Sequence, residues 1–169
     1  MKIESFPALS NPKATVLLLG TMPGAMSLAL KEYYGHPRNH FWKLLATILE
    51  KIPSDNYAIK KEMLLQNQIA VWDVLQHCER QGSLDSAIIN EVPNDFTTFL
   101  QQHPNIRLIA FNGQKAASFF KKHVELQQSY EFLTLSSTSP ANASKSFEQK
   151  LEEWKKIRNY LNASSRNGL

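Results

Sequence analysis

The chain has 169 residues, 43% hydrophobic and 20% charged, which suits one globular domain with a real core and a buried pocket and leaves no room for a second large one. Its formal charge of +4 and pI near 9.2 lean toward polyanionic partners, since Lys and Arg displace phosphate counterions, without demanding them. The lone cysteine, Cys78, excludes an internal disulfide. No apolar run has membrane-spanning length or the look of a secretory leader, so a cytoplasmic, monomeric protein without membrane partners is expected.

In chain order, short continuous apolar runs alternate with longer stretches of helical period, the pattern of a parallel sheet covered by helices on both faces. Strands are predicted over residues 15–19, 69–72, 106–111 and 132–135. Phe41, Leu44, Leu45, Ile48 and Leu49 recur at three- and four-residue spacing and predict a core-facing helix. Phe147, Leu151, Trp154, Ile157 and Leu161 predict another. Weaker helices are expected over 59–66, 95–102 and 114–122, with turn-rich loops at 52–57 and 136–146. The fold class is therefore α/β: a three-layer α/β/α sandwich around a central four-stranded parallel sheet. It forms one domain over residues 1–162, followed by a polar, frayed tail at 163–169.

In open parallel sheets the ligand crevice lies beyond the carboxyl ends of the strands. Four segments fall there: Gly20-Thr21-Met22-Pro23-Gly24, Asp73, Asn112-Gly113 and Ser136-Ser137-Thr138-Ser139-Pro140. The first leads on to the densest stretch of the chain, Tyr33-Tyr34-Gly35-His36-Pro37-Arg38-Asn39-His40-Phe41-Trp42, where aromatics, an amide and cations suit a flat, polar-edged ring beside a phosphate. Taken singly, each residue has a plainer reading. Asn39, Asp73 and Asn112 can equally cap the elements that follow them. Phe41 and Trp42 fit a helix core, and the glycines fit a tight turn. The loop at 20–24 lacks both the dinucleotide fingerprint and the Gly-Lys-Ser/Thr ending of a phosphate loop. His36 and His40 stand four apart, but Pro37 disfavours a helix between them, so no metal site is expected.

As a set, Gly-x-x-Pro-Gly followed by an aromatic, a small residue and His-Pro-x-Asn-x-Phe-Trp resembles the first motif of the uracil-DNA glycosylase superfamily, with mismatch-specific similarity. The further runs Trp72-Asp73-Val74-Leu75, Arg80-Gln81-Gly82-Ser83-Leu84-Asp85, Phe111-Asn112-Gly113 and Ser137-Thr138-Ser139-Pro140-Ala141-Asn142-Ala143 look most like its hypoxanthine-DNA glycosylase branch. The resemblance implies a DNA glycosylase without metal or organic cofactor, acting on DNA that contains a deaminated base. Asn39 and Asn112 are the catalytic residues it implies. Tyr34, Asp73, Met22 and Phe41 form the expected base-binding set, and Ser137, Ser139, Lys145 and Arg38 the expected phosphate or DNA contacts.

The departures from the family pattern are chemical. Met22 occupies the place where most branches carry an Asp or Asn that manages the attacking water, so that role is expected to fall to Asn39. Ser137 stands where uracil-specific members have a histidine, which leaves stabilisation of the leaving base to neutral donors. Pro140-Ala141-Asn142 offers no bulky wedge. An ionised Asp73 would accept from the ring N–H that hypoxanthine and uracil share, and would repel the bare ring nitrogen of adenine or cytosine. Hypoxanthine is expected first and uracil second. The alternatives are a uracil or G/T(U) mismatch-specific glycosylase, or a binding module of the same fold that has lost catalysis, for which Met22 is the motive.

Overall fold

A computed structural model describes residues 2–161 of the chain; the tail expected at 163–169 lies outside them. The central sheet consists of β2 (Val16–Gly20), β3 (Ile69–Asp73), β6 (Leu108–Asn112) and β7 (Glu131–Leu135), all parallel, in the order β3-β2-β6-β7. The four apolar runs become these four strands, each beginning or ending within two residues of the predicted limits.

Alternation along the strands sorts the core into two halves. Leu17, Leu19, Ala70, Ile109 and Phe111 point to one face, where α4 (Phe96–Gln102) and α5 (Gln114–His123) cover them with Phe96, Phe99, Phe119 and Phe120. Val16, Leu18, Ile69, Val71, Leu108 and Ala110 point to the other, beneath α2 (Phe41–Ile48), α3 (Tyr57–Gln66) and α6 (Phe147–Trp154). Every residue of β2 is buried, as a central strand covered on both sides must be. The three-layer α/β/α sandwich is thus the observed architecture.

Three features depart from the sequence reading. A second, antiparallel sheet is formed by β1 (Lys2–Glu4), β4 (Leu75–Glu79) and β5 (Ile89–Pro93) in the order β1-β4-β5, with register shifts between β4 and β5. Its strands are half-polar and irregular, so no clean alternation marks them. A six-residue helix, α1 (Ala25–Leu30), follows the first glycine loop and is too short to show a period. The last stripe does not continue as one α-helix to Leu161: α6 stops at Trp154 and a 3-10 turn runs over Lys155–Tyr160. The tighter turn still buries Ile157, and Arg158 Nε donates to the Ile48 carbonyl at 3.0 Å.

Trp154 links core to site. Its indole is fully buried between α6 and α2, and its Nε1–H donates to the Ser136 carbonyl at 2.9 Å, tying the helix to the serine-rich loop after β7. Replacing Trp154 by Phe keeps an aromatic ring but removes that bond and part of the buried volume. Urea denaturation is expected to show a loss of about 0.5–1.5 kcal/mol, the net worth of one hydrogen bond; a variant as stable as the wild type would show that the tether contributes nothing.

Candidate active site

The parallel register brings the polar residues to one level. Gly20 pairs with Asp73 across β2 and β3, and Asn112 follows Phe111, the partner of Leu19, one residue on. Beyond this edge opens a cleft of about 430 Å³ whose wall includes Met22, Tyr34, Asn39, Asp73, Asn112 and the serine loop. A second, wider groove of about 840 Å³ between α2 and α3 shares Tyr34, His36 and Asn39 with it. The four segments separated in sequence therefore do converge.

The aromatic stretch is pinned from several sides. Trp42 Nε1 donates to the Tyr33 carbonyl at 2.8 Å, the Tyr57 hydroxyl accepts from the Tyr33 N–H at 3.0 Å, and Ser27 Oγ accepts from the Gly35 N–H at 2.9 Å. Between these anchors Tyr34 has φ of 53°, a left-handed conformation costly for an aromatic residue and sustained only because the surroundings over-determine it. Its ring stacks on Phe41 at 3.9 Å between centroids, and its hydroxyl is sealed without a hydrogen-bond partner among the described residues. Burial, with the Asp73 charge second, pushes the phenol well above its usual range, so it stays protonated. Phe41 itself is fully buried and absent from the cleft wall. Expected as a base contact, it instead backs the ring that faces the cavity, because the helix stripe turns it inward.

Gly20 is where the floor closes. A Cβ there would lie 2.6 Å from Tyr34 Oη and 2.7 Å from Asp73 Oδ1, so only glycine lets the two side chains meet over the strand end. Asp73 is 3% exposed, with Oδ2 unpartnered among the described residues. Burial pushes its carboxyl up to about 7; Asp85 adds to the rise and Arg80 opposes it. Near neutral pH the group sits astride its titration.

Asn39 does two jobs. Its Oδ1 accepts the Phe41 N–H at 2.9 Å, closing an Asx-type turn just before α2, while the side chain also lines the cleft. The bond serves the entry into α2, whose N-cap is the next residue, His40, and it leaves the carboxamide nitrogen of Asn39 outside the turn. Asn112 is differently employed. Its Oδ1 accepts the Thr138 N–H and its Nδ2 donates to Thr138 Oγ1, each at 2.9 Å, so the amide clamps the serine loop onto β6. With those two bonds made, one N–H and one oxygen lone pair of the amide remain.

The serine loop is built from its own side chains. Ser137 Oγ accepts from the Ser139 N–H at 3.2 Å and Ser139 Oγ from the Ala141 N–H at 3.1 Å; both residues line the cleft with their hydroxyl protons unspent. Lys145, expected to meet phosphate, bonds Glu153 at 2.7 Å and Ser136 Oγ at 2.9 Å, so its charge is already committed to holding the loop. Arg38 is exposed and outside the cleft wall.

Two residues carry roles that the sequence reading missed. Arg80 is buried. It donates through Nη2 to the Pro23 carbonyl at 2.6 Å and through Nε to the Gly82 carbonyl at 2.8 Å, binding the first glycine loop to the loop after β4. Asp85, half-buried in that second loop, has its pKa raised chiefly by burial, with Thr21, Arg80 and Lys115 opposing. The run from Arg80 to Asp85 was visible as a motif, but nothing in residue type announced which loop the guanidinium would hold. Among the described residues no group of three or more His, Cys, Asp or Glu is gathered as a metal site needs, and no helix is long and apolar enough to cross a membrane.

An α/β/α sandwich with a polar-floored cleft beyond the carboxyl ends of its central strands has the arrangement in which open parallel sheets hold their ligands. The chain belongs to the uracil DNA glycosylase superfamily, which it matches over residues 7–162, and it is a DNA N-glycosylase. It is 37% identical over 143 residues to a hypoxanthine DNA glycosylase of Methanosarcina barkeri (84% of this chain, 89% of the relative). It is 37% identical over 140 residues to one of Methanosarcina acetivorans (82% and 87%). A solution NMR structure of a Methanosarcina acetivorans protein, provisionally named a uracil DNA glycosylase, superposes with a TM-score of 0.80 at 34% identity, covering 93% of this chain and 96% of the other.

The buried carboxyl makes stability depend on pH. Asp73 has an ordinary value of 3.8 and a folded value of about 7, so between those limits the folded protein keeps a proton that the unfolded chain releases, and folding weakens as pH rises through the window. Asp73→Asn removes this titration. Urea denaturation at successive pH is expected to show the wild type losing stability relative to the variant from pH 4 to 7 and a level difference above; a difference independent of pH would mean that the carboxyl is solvated.

Proposed function

We propose that this protein hydrolyses the N-glycosidic bond of deaminated bases in DNA, hypoxanthine in preference to uracil, and leaves an abasic site. The observation that carries the reading is Asn39: a carboxamide fixed by the Phe41 N–H and turned to a cleft that also contains Tyr34 and Asp73. The names of the two relatives, each a hypoxanthine DNA glycosylase, support the choice of base.

A base paired in a duplex must leave the stack before its glycosidic carbon is reachable, at a cost of a few kcal/mol that is least for a mismatched pair. Inside the cleft Tyr34, stiffened by Phe41 behind it, supplies a wall for the ring. Asp73 on the floor, when ionised, accepts the N–H beside the carbonyl of hypoxanthine or uracil. A base with a bare nitrogen at that place meets a lone pair instead, so rejection is built from repulsion.

As the bond lengthens, the sugar gains oxocarbenium character and the departing base takes up negative charge, so the site has to stabilise charge rather than supply a strong nucleophile. The free Nδ2 of Asn39 and the second lone pair of its Oδ1 hold a water without deprotonating it, since an amide is no base near neutrality. Met22 adds shape alone. The chemistry therefore rests on position, and the enzyme is slower than one with a carboxylate at the same place. The hydroxyls of Ser137 and Ser139 meet a flanking phosphate, and Arg38 adds charge from outside the cleft.

The test is release of free base, identified by mass, from duplexes carrying inosine, uracil or thymine opposite each normal partner. Inosine is expected to react fastest. Asn39→Ala should lower kcat/KM on the order of a hundredfold, as misplacing a reactant does, while DNA binding survives. Asn39→Asp keeps the turn and restores cleavage. Binding without release of any base by the wild type would replace the enzyme with a binding module, and uracil outrunning inosine would reverse the preference.

A further inference from the structure

The serine-loop side of the cleft ends in Pro140, Ala141 and Asn142, which carry no long apolar side chain, and the opposite lip is built otherwise. There Leu84 is 59% exposed and Met26 43% exposed, and both line the mouth of the same cleft. Most other exposed large apolar side chains of the described residues lie elsewhere: Ile52 and Ile59 border the wider groove, and Ile89, Val92 and Phe132 belong to strands away from the opening. Scattered exposed leucines need no explanation. Two such tips at the rim of a nucleobase pocket do.

The lip is also held more firmly than an idle surface turn. Ser83 Oγ accepts the Ala25 N–H at 2.8 Å, so the residue before Leu84 is bonded to the start of the helix that carries Met26. Arg80, buried beneath, grips Gly82 on one side and Pro23 on the other. The residue after Leu84, Asp85, is half-buried and begins a short 3-10 turn, Asp85–Ala87, that closes the lip. Gly82, with φ of 72° and open space around it, makes the turn that throws Ser83 and Leu84 toward the cleft.

We infer that Leu84, steadied by Met26, is the wedge that enters the duplex and fills the gap left by the extruded base, so strand invasion comes from the lip after β4 and not from the serine loop. Leucine and methionine are among the side chains that proteins insert between base steps, because the apolar tip replaces lost stacking contacts without demanding hydrogen bonds. The inference rests on the base-extruding reading above.

Its test is Leu84→Ala against the wild type, with inosine placed in a duplex and in the same strand alone. A wedge is needed only where a stack must be opened, so the ratio of duplex to single-strand kcat/KM is expected to fall tenfold or more, and Leu84→Phe to recover most of it. An equal loss on both substrates, or an unchanged ratio, overturns the proposal. A second readout needs no catalysis: 2-aminopurine beside the lesion should brighten when wild-type protein binds and brighten far less with Leu84→Ala. Should the wild type release no base at all, this signal still decides the wedge, and the function proposed above fails separately.

Discussion

The structure depends on how tightly the carboxyl end of β2 can be approached. Gly20 lies on the central strand, level with Asp73, and the absence of a side chain lets the Tyr34 hydroxyl and the Asp73 carboxyl crowd over the same backbone atoms. That closeness creates the polar floor. It also creates the burial that keeps the phenol protonated and lifts the carboxyl to about 7. The left-handed Tyr34 follows from the same constraint: the chain must turn sharply after α1 to bring the ring back over the glycine. Neighbouring tethers from Tyr57, Ser27 and Trp42 hold it there.

Around this floor, polar groups are spent on holding loops as much as on meeting a ligand. Asn112 clamps the serine loop, Lys145 and Glu153 brace it from outside, and Arg80 binds the first glycine loop to the lip carrying Leu84. Lys150 belongs to the same economy. It is buried on α6, its nearest polar partner His40 Nδ1 lies at 3.4 Å, and burial holds both groups below their usual values. A site assembled from four remote turns needs such internal fastening, since positional error of an ångström costs more than any one contact gains.

The fold was largely legible because the central strands are continuous apolar runs and the covering helices repeat at helical spacing, signals that rest on burial alone. The antiparallel sheet was not, because β4 and β5 mix Gln, His, Glu and Asn with their apolar residues and break register. Placement of the site followed from strand ends, and Tyr34, Asn39, Asp73, Met22, Ser137 and Ser139 do meet there. Which way each side chain faces did not follow. Phe41 is a helix-core residue behind Tyr34, the Asn112 amide is taken by Thr138, and Lys145 is taken by Glu153. Sequence spacing gives proximity to a strand end, whereas hydrogen-bond partners come from loops whose paths only the folded chain defines.

The doubled duty of Asn39 has an evolutionary corollary. The oxygen that closes the turn before α2 would be supplied equally by a carboxylate, with the same reach and the same lone pair toward the Phe41 N–H. Exchange between amide and acid at this place is therefore silent for the backbone, and under the proposed role of Asn39 it acts on the reaction alone. On that proposal a lineage could raise or restrain its appetite for glycosidic bonds by a single-atom swap, with no repair of the scaffold required afterwards.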